Sequence, residues 1–255
     1  MKIVLVPSAS GSERAYHYLS SYVIDEVVAV DAGGLGFQGA LADQARIRNI
    51  FLTHSHIDHL ASLPIFLESV YGAHPEGVVV HGGAAVLDSL QRDVFNDRLM
   101  PDFIRISRER TPPFLRLSLL EEGKPVTADG LRLTPVSVDH AVPTFAFVIE
   151  GPRSTVAVVT DTAPTEAIWR RCRKTPNLKA VFLEASFPNS AARMADLSRH
   201  LTSDQFIRQA KKVGPDVQII AVHLKPRTHD QVVAEVLGYG LPNVRIAEPG
   251  RVYEF

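Results

Sequence analysis

Residues 50–59 read Ile50-Phe51-Leu52-Thr53-His54-Ser55-His56-Ile57-Asp58-His59. Three imidazoles and one carboxylate fall within six residues, directly after an apolar run. In an extended segment, side chains two apart point to the same side, so His54 and His56 are placed to grip one ion. A turn after His56 throws Asp58 and His59 forward onto a second. The motif predicts two adjacent divalent ions, and with them hydrolysis in preference to simple binding.

Two such ions need about seven protein ligands besides water, and the motif supplies four. The rest are sought at strand ends, where side chains from separate strands converge. His140 follows the predicted strand 131–138, Asp161 follows Val156-Ala157-Val158-Val159-Thr160, and His223 follows Ile219-Ile220-Ala221-Val222. A lone histidine after a strand is more often structural, but three such positions in a chain short of three ligands reverse that reading. His17, His74, His81 and His229 lack this placement and are read as surface or core, although His229 follows His223 by only six residues. His200 stands before Leu201-Thr202 at the mouth of a predicted helix, where anions are favoured. It is a candidate for holding a phosphate oxygen or protonating a leaving group.

Strand signals recur at Ile3 to Val6, Glu26 to Val30, Ile50 to Thr53, Gly77 to His81, Leu131 to Val138, Phe145 to Glu150, Thr155 to Thr160, Ala180 to Glu184, Gln218 to Val222 and Val244 to Ala247. Most are short, β-branched and bounded by Gly, Pro, Asp or Asn. Helical spacing marks Leu60 to Tyr71, Ala84 to Asn96, Thr165 to Arg173, a helix opened by Thr202-Ser203-Asp204-Gln205 and running to about Val213, and Asp230 to Leu237. The two kinds alternate with no linker between them, which predicts one α/β domain over 1–255. The strands 145–150 and 155–160 read as a hairpin, so the sheets should be mixed: an αββα sandwich of two mixed β-sheets flanked by helices. Residues 97–124 form the longest stretch read as irregular, with Pro101, Pro112, Pro113 and Gly123 among apolar residues. A segment of that kind serves as a lid or substrate wall, or as a surface excursion over a satellite core.

Of 255 residues, 45% are hydrophobic and 22% charged, an ordinary globular balance with material for a full core. A net charge of −1 argues against a long nucleic acid as partner, though a local basic patch can still hold a phosphate. Cys172 is the only cysteine, which excludes an internal disulfide. Its neighbours Arg170, Arg171 and Arg173 would lower its pKa, but a half-buried helix cysteine is the favoured reading. Met1 to Pro7 reads as a first strand and not as a signal peptide, no window approaches the ~18 apolar residues of a membrane span, and cytoplasm is the expected location. A homodimer is left open.

The run His54-x-His56-x-Asp58-His59 resembles the signature of the metallo-β-lactamase superfamily, and His140, Asp161 and His223 follow in the order of its later ligand motifs. The resemblance begins at Val30-Asp31-Ala32-Gly33 and covers nearly the whole chain. It implies the metallo-β-lactamase fold, with His54, His56 and His140 on one ion, Asp58, His59 and His223 on the other, and Asp161 bridging. Zinc is implied first, with manganese or iron as alternatives. The fold hosts many hydrolases, so narrower features choose the branch. Asp139-His140-Ala141-Val142-Pro143-Thr144 looks like the phosphodiesterase branch, where β-lactamases and glyoxalase II enzymes usually carry Gly-His-Thr or Gly-His-Ser. Arg199-His200-Leu201-Thr202 is similar to the Gly-His-Leu-Thr of class II cyclic-nucleotide phosphodiesterases, with Arg199 in place of Gly. Phe95-Asn96-Asp97-Arg98-Leu99-Met100-Pro101-Asp102-Phe103 resembles their Phe-Asn…Trp-Pro-Asp-Phe segment, with Met100 at the Trp position. Glu184-Ala185-Ser186-Phe187-Pro188-Asn189 and His223-Leu224-Lys225-Pro226 resemble two more of their segments.

The resemblance implies hydrolysis of a small 3′,5′-cyclic nucleotide (cAMP or cGMP) to a nucleoside 5′-monophosphate. His200 and Asp58 would be the catalytic residues. Phe103 and Phe187 are candidates for stacking on the nucleotide, and either is as readily core. Asn96 and Asn189 are read as turn residues, and Glu184 and Ser186 receive no role. Ribonuclease Z, the rival within the branch, generally carries a tRNA-gripping arm between the third-motif His and the bridging Asp. Only 20 residues separate His140 from Asp161 here, and a hairpin uses most of them. A non-catalytic metal-binding protein is the third reading, opposed by the complete ligand set.

Overall fold

The computed structural model describes residues 1–13 and 15–255. Strands β1 (Lys2–Leu5), β2 (Tyr22–Ile24), β3 (Val28–Val30), β4 (Asn49–Phe51), β5 (Val78–Gly82) and β6 (Leu115–Leu119) run through the first sheet. Strands β7 (Val126–Ala128), β8 (Leu131–Val138), β9 (Thr144–Glu150), β10 (Thr155–Val159), β11 (Leu178–Glu184), β12 (Gln218–Val222) and β13 (Val244–Ile246) form the second, and β14 (Val252–Glu254) returns to the first. The orders are β14-β1-β2-β3-β4-β5-β6 and β13-β12-β11-β10-β9-β8-β7. Both sheets are mixed. β3 to β6 are parallel and the strands before them antiparallel; β10 to β13 are parallel, and β7 to β10 antiparallel.

The helices are α1 (Leu41–Gln44), α2 (Ile57–Leu60), α3 (Leu63–Ser69), α4 (Ala84–Ser89), α5 (Phe103–Arg108), α6 (Ala167–Lys174), α7 (Ala192–Ser198), α8 (Ser203–Ala210) and α9 (His229–Gly238). Three apolar layers lie between four layers of structure. Phe51, Phe147, Val156, Val158, Phe182, Ile220 and Val222 fill the space between the sheets. Ala157, Val159, Val181, Leu183, Ile219 and Ala221 face the other way, onto Trp169, Phe206 and Val232 of the outer helices. Ala29, Ile50 and Val80 pack outward on Phe66, Leu67, Val86 and Leu90. Period-2 alternation thus sends successive residues of β10, β11 and β12 to two apolar faces, which is why these strands read as unbroken apolar runs. The expected αββα sandwich is the architecture found, and 144–159 form the expected hairpin.

The stretch 97–124, expected to be irregular, instead contains α5 and β6, and β6 joins the first sheet. Asp102 caps α5 by accepting a bond from the Arg105 N–H at 2.8 Å, and β6 pairs in parallel with β5 from Val78–Leu115 to Gly82–Leu119. Its alternating Leu115-Arg116-Leu117-Ser118-Leu119 was a strand signal masked by the prolines before it. Three-residue β2, β7 and β14, and helix α7, also lie outside the expected elements. Cys172 is buried on α6, and burial pushes its thiol up to about 12 against the opposing pull of Arg171 and Arg173. It is an inert core thiol. Among the described residues no helix is long and apolar enough to cross a membrane.

Candidate metal centre

β4 ends at Phe51, and the chain stays extended through His56, which has φ −66° and ψ 146° at the N-cap of α2. The helix then starts at Ile57 and carries Asp58 and His59 forward. Gly33 makes this turn fit. A Cβ there would stand 1.9 Å from the Asp58 carbonyl oxygen. That oxygen accepts the Ser20 N–H at 2.8 Å, and the His59 carbonyl accepts the Ala32 N–H at 2.8 Å. His140, Asp161 and His223 arrive from the ends of β8, β10 and β12. Asp161 and His223 do so in the left-handed region, at φ 49° and 59°, and Asp31 after β3 has φ 60°. Strain of this kind costs about 1–3 kcal/mol per residue and concentrates at functional sites.

The structure brings together all seven side chains singled out in the sequence. Potential ligand atoms of His54, His56, His140 and Asp161 lie within 4.8 Å of one another, as do those of Asp58, His59 and His223. Asp161 stands between the groups. Its Oδ2 is 3.5, 3.4 and 3.7 Å from Nε2 of His54, His59 and His140, and its Oδ1 is 3.4 Å from His223 Nε2. His140 Nε2 lies 3.2 Å from His56 Nδ1, and His223 Nε2 lies 3.2 Å from Asp58 Oδ2. Ligands at ~2.0–2.1 Å in a tetrahedron stand roughly 3.3 Å apart, the spacing seen here. Among the described residues, buried His54 Nε2, His59 Nε2 and Asp161 Oδ1 have no hydrogen-bond partner. Leaving such groups unpaired costs about 1–3 kcal/mol each, so the donor set fits divalent metal ions.

Protonation suits the same role. Burial, aided by neighbouring imidazoles, lowers the pKa of His54, His56 and His140; burial and the Lys225 charge lower that of His223. Burial opposes ionisation of Asp58 and Asp161, but the histidines around them hold both below the carboxylate range. Neutral imidazoles and ionised carboxylates are the forms that ligate. His59 departs from the pattern: burial works against its charge, yet Asp161 and Asp31 raise it well above the ordinary value.

A second layer of bonds orients the first. Asp31 is fully buried and accepts His59 Nδ1 at 2.7 Å, Thr53 N at 2.8 Å and Thr53 Oγ1 at 2.9 Å. His140 Nδ1 donates to the Arg199 carbonyl at 3.0 Å. Glu184, at the end of β11, accepts Thr162 N at 2.5 Å and His200 Nδ1 at 2.9 Å on one oxygen, and Ser186 Oγ at 2.5 Å and Leu201 N at 3.1 Å on the other. Ser186 Oγ meets His223 Nδ1 at 3.0 Å. Asp31, Glu184 and Ser186 thus hold positions that the sequence left without a role, and an acid ending an otherwise apolar strand was the available signal.

His200 is buried, with its ring 4.9 Å from His140 and 5.4 Å from His223. Burial disfavours its charge, but Glu184 holds its pKa above the ordinary value. With Nδ1 on Glu184, its Nε2 is left for the site. Phe187 lies beside it at 5.8 Å. Phe103 lies elsewhere: it stacks on Phe95 at 5.5 Å and meets Phe114 at 5.8 Å. Its cavity of about 550 Å³ is lined by Leu67, Tyr71, Met100 and Ile106 and shares no residue with the histidine cluster. Of the two readings given for Phe103, stacking wall or core, its place fits the second: it is half-buried on α5 and packs against the apolar layer outside the first sheet. Asn96 and Asn189 are turn residues, as expected: Asn96 Oδ1 accepts the N–H groups of Arg98 and Leu99, and Asn189 Oδ1 that of Asp204. His17, His81 and His229 are buried outside the cluster.

Residues 31–224 match a family model described as a beta-lactamase superfamily domain. A ribonuclease Z of Lactobacillus johnsonii is 30% identical over 111 residues, which is 42% of this chain and 33% of that protein. The match thus spans about a third of the relative's length. The structure described as unliganded yeast PDE1 superposes with a TM-score of 0.77 at 18% identity, over 98% of each chain. The metallo-beta-lactamase fold protein YhfI of Bacillus subtilis gives 0.74 at 18% identity, over 100% of this chain and 99% of that one.

Proposed function

We propose that this chain, which belongs to the β-lactamase superfamily, is a dinuclear metal-dependent phosphodiesterase that hydrolyses 3′,5′-cyclic nucleotides to nucleoside 5′-monophosphates. The observation that carries the reading is His200. It stands beside the seven potential ligands, anchored through Nδ1 to Glu184, with its rings packed on His140 and His223. His54, His56 and His140 would hold one ion, Asp58, His59 and His223 the other, with Asp161 shared. The imidazole-rich set favours zinc over manganese or iron. When bound, such ions supply Lewis-acid polarisation of phosphoryl oxygens and acidify water.

The remaining chemistry falls to the chain. A water oxygen adds to phosphorus as the bond to the 3′-oxygen breaks, and the departing alkoxide needs a proton. His200 Nε2 supplies it, with the Glu184 carboxylate stabilising the imidazolium beforehand; the proton lost by water restores it. Phe187, next to His200, offers an apolar wall for the sugar or base.

Metal-loaded protein incubated with cAMP and cGMP should yield the 5′-monophosphates, and absence of both products would sink the reading. His200→Ala should leave metal content intact and cut turnover by ~10²-fold or more. The partial similarity to ribonuclease Z supports a second reading, a nuclease of the same branch. Against it, the interval from His140 to Asp161 is filled by β9 and β10. Cleavage of pre-tRNA 3′ trailers, with cyclic nucleotides untouched, would favour the nuclease.

A further inference from the structure

Lys225 follows the ligand candidate His223 by two residues, and its ammonium reaches back over the site. Nζ lies 3.3 Å from His223 Nε2 and 3.6 Å from Asp58 Oδ2, and about a third of the side chain is exposed. Its backbone is pinned: the Lys225 carbonyl accepts Thr228 N at 3.0 Å, and Pro226 opens a short 3₁₀ turn. Only the four-carbon stem and its charge are free to adjust. The atoms the ammonium now faces, His223 Nε2 and Asp58 Oδ2, are those that would turn to a metal ion. A lysine ammonium cannot share them with a divalent cation, because the two repel at that distance. With an ion in place the partly exposed stem would have to swing its ammonium off these atoms, where it can meet a bound anion.

We propose that Lys225 is a phosphate-contacting residue, its ammonium holding a non-bridging oxygen of an anionic phosphodiester on the side of the site where Asp58 and His223 stand. The assignment rests on the phosphodiesterase reading above and extends it. A phosphodiester carries one negative charge, and the phosphorane gains a second as the water oxygen adds with loss of its proton. A fixed cation there is matched better to the transition state than to the ground state, so its loss falls mainly on kcat.

The test uses the full metal-loaded chain and two probes, bis(p-nitrophenyl) phosphate for turnover and inorganic phosphate for binding by calorimetry. Lys225→Met, close in length and shape, should lower kcat for the diester about 10- to 100-fold, the share of one charge-assisted hydrogen bond. It should weaken phosphate binding and leave metal content unchanged. Lys225→Arg keeps the charge and should recover much of both. If Lys225→Met binds phosphate as tightly as the parent, or if its metal content falls in step with its activity, the assignment is overturned. If the parent protein hydrolyses no phosphodiester, the phosphodiesterase reading fails, while the phosphate titration still decides the place of Lys225.

Discussion

Replacing Glu184 by Gln changes one oxygen to an amide nitrogen at the most heavily bonded carboxylate of the site. Glu184 is fully buried, and each oxygen receives one backbone N–H and one side-chain donor. In either orientation the new NH₂ group faces one of these pairs. With the NH₂ toward Ser186 and Leu201, the Leu201 N–H is orphaned and the Ser186 hydroxyl must turn to donate to His223 Nδ1. The His223 proton then moves to Nε2, the atom that points at Asp58 and Asp161, and metal affinity falls. With the NH₂ toward Thr162 and His200, the Thr162 N–H is orphaned and His200 Nδ1 must become an acceptor. His200 then loses both its proton at Nδ1 and its anionic partner. One buried backbone N–H without a partner costs about 1–3 kcal/mol, and a lost bond to a charged group about 1.5–3 kcal/mol. The sum, about 2.5–6 kcal/mol, is a large share of the roughly 5–15 kcal/mol that holds a domain together. Urea unfolding of the metal-free protein, chelator competition for metal affinity and kcat for a cyclic nucleotide measure the three effects. Glu184→Gln should lose stability by that amount, and either metal affinity or turnover by ~10²-fold. A variant within about 1 kcal/mol of the parent, with metal affinity and turnover both intact, would refute the network.

Asp31→Ala should weaken metal binding about 10- to 100-fold, because the tautomer and orientation of His59 depend on that carboxylate; chelator competition reads this directly. Arg199 occupies the left-handed region at φ 54° and ψ 53°, and its side chain makes an exposed pair with Asp139 at 2.5 Å. Arg199→Gly relieves roughly 1 kcal/mol of strain and loses roughly 0–1 kcal/mol of ion pair. Thermal unfolding should therefore shift little or upward, with metal content kept, since His140 bonds the Arg199 carbonyl and not its side chain. His81 stacks on Phe51 at 4.2 Å, and burial lowers its pKa from 6.5 to about 4. Because the folded value is the lower one, the unfolded chain binds more protons between these limits. His81 then contributes stability that is complete above pH 6.5 and lost as pH falls toward 4, at up to about 1.4 kcal/mol per pH unit. His81→Phe should flatten the decline of urea midpoints across that window, and coincident slopes would show that the imidazole is not depressed.

Local rules made much of the centre legible. His54 and His56 share a side of an extended segment, and His140, Asp161 and His223 each follow an apolar strand. Thr202 and Gln205 do form the capping box that opens α8. What stayed hidden is what links distant residues. His59 meets Asp31 across 28 positions, His200 meets Glu184 across 16, and Ser186 meets His223 across 37. Strand β14 pairs with β1, at the other end of the chain. Nothing in a three-residue strand announces that pairing. The backbone strain was hidden for another reason. Glycine advertises a left-handed residue in a sequence, but Asp31, Asp161, His223 and Arg199 adopt that conformation without being glycine. For Asp31, Asp161 and His223 the side chain could not be dispensed with, because it points into the site, so the strain is borne by the functional residue itself. Arg199 differs, since its side chain points to the rim and only its carbonyl serves the site. A tolerated Arg199→Gly beside a damaging Asp161→Gly would separate strain that serves a side chain from strain that serves only the turn.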